Sequence, residues 1–189
     1  MKKSYRPNLY VALIHYPVVN KKGDIIASAF TNLDMHDISR IAKTYGVPAV
    51  YMVTPLADQK ALMQKIIAHW KTGAGAAYNP DRREALEVIR IKDSLDQVIE
   101  EVHQIKGDRP KTIATCAKKY PQNIGYKRLQ KIMKTSQPCL LILGTAWGLA
   151  EKIIMSSDYV LEPIQGCGDY NHLSVRSATA IILDRLYRT

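Results

Sequence analysis

The sequence predicts an α/β domain, a mostly parallel sheet of about five to six strands with helices on both faces. Two observations carry this. Short strand-like runs alternate with segments of helical periodicity through about six cycles along the 189 residues. The strand-like runs are nearly continuous apolar stretches, LYVALI at 9–14 and CLLIL at 139–143 above all, as expected of strands covered on both faces. A composition of 47% hydrophobic and 23% charged residues suffices for a sizeable core and excludes a disordered chain or a disulfide-stapled mini-protein. With no repeat, low-complexity segment or long linker, one domain over 1–189 is expected.

Each element follows from its local pattern. The first strand spans 9–14, and 18–30 reads as a polar loop around Asn20-Lys21-Lys22-Gly23-Asp24. A helix over 34–45 places Ile38, Ile41, Ala42 and Tyr45 at helical spacing and stops at Gly46. The strand at 49–53 ends in Thr54-Pro55, and a helix over 58–70 carries Leu62, Met63, Ile66, Ile67 and Trp70. Two breaks follow, KTGAG at 71–75 and NPDRR at 79–83. A strand over 86–91 precedes a helix opened by Ser94, with Gln97 completing a capping box and Gly107-Asp108-Arg109-Pro110 ending it. The remainder reads as strand 112–116, helix 125–134, strand 139–143, helix 149–155, strand 159–161 and a terminal helix over 172–187. In that last helix Val175, Ala178, Ile182 and Leu186 form a stripe that Ile181 and Leu183 widen. A face that broad serves either a sheet plus a partner subunit or a fully buried helix.

The charge narrows the function. Lys and Arg number 27 against 17 Asp and Glu, a formal net charge of +10, which points to a polyanionic partner, most often nucleic acid. No apolar run is long enough to cross a membrane. The basic start, MKKSYR, lacks a small-residue cleavage site, so a cytoplasmic protein is expected. Cys116, Cys139 and Cys167 are far apart, and neither they nor the histidines have metal-ligand spacing; no metal is expected.

Parallel sheets bind ligands beyond the carboxyl ends of their strands, and two strand exits here are glycine-rich: LGTAWGL at 143–149 and EPIQGCG at 162–168. The run GCGDYN at 166–171 lacks the third glycine of a dinucleotide fingerprint and has no βαβ unit after it. A phosphate loop of the NTPase kind and a hydrolase nucleophile elbow are both absent.

The runs LILGTAWGL at 141–149 and EPIQGCGDYNHLSVRSA at 162–178, with the weaker NLDMHDISRIAKTYGV at 32–47, resemble the SPOUT class of S-adenosylmethionine-dependent RNA methyltransferases. The resemblance is strongest to the small bacterial branch related to the catalytic domain of tRNA (guanine-N1)-methyltransferase. It implies a deep C-terminal trefoil knot over roughly 112–189, a rare topology that no composition could indicate. It also implies a homodimer and a cofactor held by the two glycine-rich exits, with Leu143, Gly144, Thr145, Gly148, Pro163, Ile164, Gly166, His172, Leu173 and Ser174 as its contacts. Leu143, Ile164 and Leu173 would enclose the adenine.

Catalytic candidates follow from the same resemblance. Arg40, in RIAKTYG, matches an arginine that serves the site of ribose-methylating members. Those members carry Asn six residues earlier and a Gly after it, where this chain has Asp34 and His36. The departure leaves open whether a base nitrogen or a ribose oxygen is methylated. Asp169 is the carboxylate nearest the expected methyl group and a candidate proton acceptor, and His172 stands where an imidazole could contact cofactor or orient a base. Asp169, Asn171 and Ser174 are equally good helix caps.

For RNA, Lys127, Lys131 and Lys134 form a stripe on the 125–134 helix, joined by Arg128; Arg82 and Arg83 are a second basic patch. The expected activity is methyl transfer to a base nitrogen or ribose oxygen of structured RNA, tRNA or rRNA. The alternative is a non-catalytic RNA-binding protein that keeps the knotted fold, and a more distant one is a nucleotide-dependent enzyme on an unknotted sheet.

Overall fold

The computed structural model describes residues 8–168 and 170–188. Its elements are β1 (Leu9–Ile14), β2 (Val18–Val19), β3 (Ile25–Ile26), α1 (Asn32–Thr44), β4 (Val50–Val53), α2 (Ala57–Lys71), α3 (Ala74–Tyr78), α4 (Pro80–Leu86), β5 (Ile89–Lys92), α5 (Leu95–Lys106), β6 (Lys111–Thr115), β7 (Asn123–Ile124), α6 (Tyr126–Met133), β8 (Cys139–Gly144), α7 (Glu151–Ser156), β9 (Tyr159–Leu161) and α8 (Val175–Tyr187). The main sheet has seven strands in the order β5-β4-β1-β8-β6-β9-β7. Every pairing in it is parallel.

Both faces of the sheet are covered, and the strand pleat shows how. Leu9, Val11 and Leu13 of β1 point into one core with Met35 and Ile38 of α1, Met63 of α2, Leu129 of α6 and Leu183 of α8. Tyr10, Ala12 and Ile14 point into the other, against Val98 and Val102 of α5 and Ile153 and Ile154 of α7. All six β1 residues are buried, which is why the strand reads as a continuous apolar run.

The strand count exceeds expectation because β7 is two residues long, too short for any periodicity, and is fixed by pairing with β9. The 18–30 loop contains the small antiparallel pair β2–β3. The two expected breaks are instead joined to two short helices. Asn79 caps α4 by accepting from Arg82 N at 2.9 Å, and Pro80 occupies its first turn. Asn-Pro thus acts as a helix start as well as a turn. Leu86 closes α4, so β5 begins at Ile89. The terminal helix starts at Val175 rather than 172, because Ser174 is its cap, accepting from Ser177 N at 3.2 Å.

Candidate functional site

β1 and β8 lie side by side at the centre of the sheet, with β4 and β5 beyond one and β6, β9 and β7 beyond the other. Strand order reverses here, the place where open α/β sheets bind ligands. The β8 exit is tightly folded. Trp147 N donates to Val19 O and Val19 N to Gly148 O, both at 3.0 Å, and Gly148 N donates to Thr145 O at 2.9 Å. Ala146 and Gly148 have positive φ, 51° and 114°. A Cβ on Gly144 would stand 2.6 Å from Leu149 N, so this glycine is required by the turn that folds back on the strand.

Thr145 anchors the same turn. Its Oγ1 donates to Ile14 O at 2.9 Å and is 2.5 Å from Ser28 Oγ. Ser28 Oγ in turn lies 3.2 Å from Nδ1 of His15, which is wholly buried just past β1. Burial pushes the His15 pKa down, and the nearby Asp34 charge opposes this.

The β9 exit is partly pinned and partly open. Pro163 is buried and Ile164 packs on the core that contains Leu143, itself 1% exposed. Glu162 accepts from Tyr126 N at 3.2 Å, placing a carboxylate at the N-terminus of α6, which has no side-chain cap of its own. Gly166 is different from Gly144: nothing among the described residues lies within 4 Å of where its Cβ would stand, which leaves room there for a ligand to approach the backbone. Leu173 is 45% exposed. Asn171 donates to Ala117 O at 3.0 Å. Asp169 lies outside the described residues.

The two exits meet through their aromatic side chains. The rings of Trp147 and His172 are 6.3 Å apart, and those of Tyr170 and His172 are 5.6 Å apart. Trp147 stands inside the first glycine-rich run and Tyr170 two residues past the second, but isolated aromatics carry no periodic signal that would mark them in the sequence. His15 and Ser28 carry no signal in the sequence either, since only the fold brings them to Thr145.

The other candidates are spread over the surface. Arg40 is exposed on α1, opposite the buried Ile38 and Ala42. Lys127, Arg128, Lys131 and Lys134 are all exposed and form no ion pair among the described residues. Arg83 is exposed, whereas Arg82 is half-buried with its guanidinium 4.5 Å from the Trp70 ring. An open depression of about 450 Å³ lies elsewhere, at the β5 edge, lined by Asp96, Glu100 and Glu101 among others. Its acidic lining has the wrong sign for RNA.

Among known proteins, the family described as SAM-dependent RNA methyltransferase matches residues 8–188. A protein of Aquifex aeolicus (strain VF5), described as uncharacterized, is 41% identical over 181 residues, 95% of this chain and 88% of that one. A tRNA (guanine-N(1)-)-methyltransferase of Oleidesulfovibrio alaskensis is 42% identical over 179 residues, covering 95% of this chain but 42% of that protein. The chain therefore spans about two-fifths of that relative's length. The structure of a probable methylase family protein from Haemophilus influenzae Rd KW20 shares the fold, with a TM-score of 0.62 at 17% identity over 95% of this chain and 65% of that one. With the match running from Asn8 to Arg188 across every element of the sheet and both glycine-rich exits, the chain belongs to the SAM-dependent RNA methyltransferase family.

Proposed function

We propose that this chain holds S-adenosylmethionine between the β8 and β9 exits and transfers its methyl group to a base nitrogen or ribose oxygen of structured RNA, tRNA or rRNA. The observation that carries this is the meeting of Trp147 with His172, which joins the two glycine-rich segments at the carboxyl end of the sheet. The open backbone at Gly166 and the exposed Leu173 fit a ligand bound largely through main-chain groups. When bound, the cofactor supplies an electrophilic methyl group and its own leaving group. The protein's part is then position and proton acceptance.

Arg40, Asp169 and His172 are the candidates for that part. Gly144, Thr145 and Gly148 shape one loop, and Pro163, Ile164, Gly166, Leu173 and Ser174 the other. Leu143 and Pro163 are buried and contribute through their backbone or as a floor. Guanine N1, the target named for the longer Oleidesulfovibrio relative, is one base-nitrogen candidate.

The same reading includes a single domain over 1–189, a knot over roughly 112–189, a homodimer and a cytoplasmic location. Asn171 bonding to Ala117 and Asn123 bonding to Val160 O and Leu161 O support a chain end that passes close through the 116–125 loop. No helix among the described residues is long and apolar enough to cross a membrane. Calorimetry with S-adenosylmethionine tests the cofactor site, and incorporation of labelled methyl into total tRNA or rRNA tests the reaction. Mass spectrometry of nucleosides from cells with and without the protein then identifies the atom. Cofactor binding without methyl incorporation into any RNA would overturn the enzymatic reading.

A further inference from the structure

Three aromatic rings crowd the junction of the two exits, and they are exposed. Trp147 is 59% and Tyr170 79% accessible, and His172 is exposed as well. Their ring planes cross at 66° and 72°, so the rings meet edge to face, each contact covers a face of only one of its two rings, and other ring faces stay open. Large apolar rings left in water at a site held by ordered backbone mark a binding surface. Trp147 is fixed from both sides, since its own N–H bonds to Val19 O and the following Gly148 O accepts from Val19 N.

The surroundings are basic. Asn171, between Tyr170 and His172, bonds to Ala117, and the next residues, Lys118 and Lys119, are exposed and form no ion pair among the described residues. Glu162, in the β9 exit, accepts from the first residue of α6, whose Lys127, Arg128 and Lys131 are exposed. Aromatic faces flanked by free cations form the arrangement that takes an unpaired nucleotide: the base stacks while the phosphates are neutralised beside it.

We propose that Trp147, Tyr170 and His172 form a stacking site for an unpaired nucleobase of the RNA substrate, placed at the mouth of the cofactor loops. This rests on the RNA-methyltransferase reading above and adds a requirement to it: the substrate nucleotide must be out of a continuous duplex. In a duplex the base faces are already stacked on their neighbours, and extruding one opposes binding.

The test uses the full chain without cofactor, an RNA hairpin with an unpaired loop, and a duplex of the same sequence. Trp147→Ala should weaken hairpin binding roughly 5- to 150-fold, the range of one lost base–aromatic stack. Duplex binding should be unchanged, and so should the dependence of log affinity on log salt, because no charge is removed. Trp147→Phe should restore most of the hairpin affinity. Since Trp147 is exposed, its melting temperature should match the parent's; if it does not, Tyr170→Ala, at a still more exposed ring, is read in its place.

Parental hairpin affinity in the folded alanine variant overturns the proposal, as does equal weakening for hairpin and duplex. Weakened S-adenosylmethionine binding with RNA binding intact would assign the rings to the cofactor instead. A changed sedimentation coefficient would assign them to a second copy of the chain. Parental protein that binds neither RNA at all overturns the functional reading itself, an outcome distinct from unchanged affinity in the variant.

Discussion

Asp34 Oδ1 stands 3.2 Å from Arg176 Nε, an ion pair that ties the first turn of α1 to the first turn of α8. Arg176 NH1 also reaches Asp37 Oδ2 at 3.1 Å. Asp34 occupies the place where the resemblance leads one to expect Asn, and the fold gives it a partner that explains a carboxylate there. Its side chain is 13% exposed and that of Arg176 31%, so the pair is only partly screened by water.

Arg176→Ala should therefore destabilise the protein by about 1–3 kcal/mol, because it leaves two carboxylates without their counter-charge. Urea unfolding measures this. A change below about 0.5 kcal/mol would mean that the pair behaves as an ordinary surface bridge.

Two glycines separate fold from ligand. Gly144→Ala places a Cβ 2.6 Å from Leu149 N and 2.8 Å from Gly148 C, both backbone atoms. It should destabilise the chain by about 1–3 kcal/mol through overpacking, whatever it does to the cofactor. Gly166→Ala meets no atom of the described residues within 4 Å. It should melt like the parent yet bind S-adenosylmethionine at least about tenfold more weakly if the ligand approaches that backbone. Calorimetry on both variants decides it; parental affinity in Gly166→Ala removes the residue from the cofactor site.

The basic face of α6 acts through phosphates if it docks RNA. Lys127→Ala with Lys131→Ala should flatten the slope of log affinity against log salt by about 0.7–0.9 per contact, equally for different RNA sequences. S-adenosylmethionine affinity should stay put. An unaltered slope in filter-binding titrations would leave the stripe as a solvated face.

Stability should fall on mild acidification. Burial lowers the pKa of His15 from its ordinary 6.5, and burial followed by the Arg82 charge lowers that of His36. The unfolded chain then binds protons more readily than the folded one. Stability contributed by the neutral rings is fully present above 6.5 and declines as pH falls below it toward the lowered native values. Unfolding midpoints measured across that range should show a shallower pH dependence in His15→Gln than in the parent. Identical slopes would locate the acid sensitivity elsewhere.

The alternation of strands and helices was legible because both periods are long enough to read. LYVALI and CLLIL are buried on both faces, and a fully buried strand has no choice but to be apolar along its length. Helix α5 was legible to the residue at its start, since Ser94 accepts from Gln97 N at 3.3 Å as one half of a capping box, while Gln97 Oε1 accepts from Asp93 N, one residue before the cap, at 3.1 Å. The elements that escaped are too short for a period to repeat convincingly: β7 and the β2–β3 pair, with two residues per strand, and α3 and α4, with five and seven. The strands are fixed by pairing and α4 by its Asn79 cap rather than by a pattern.

The candidate site divides in the same way. Both glycine-rich exits could be found from the sequence, because a turn needing positive φ or close approach restricts residue type at a point in the chain. Which glycine serves the turn and which leaves room for a ligand could not, since Gly144 and Gly166 differ only in what the rest of the fold brings near them. The sequence by itself determined the sheet, its two covered faces and the net charge of +10 that suits RNA. Only the tertiary structure decided that Trp147 meets His172, that Ser28 bridges His15 and Thr145, and that Arg82 lies on Trp70. Those are contacts between segments far apart in the chain. They depend on strand order and loop path, which local propensity and hydrophobic pattern do not encode.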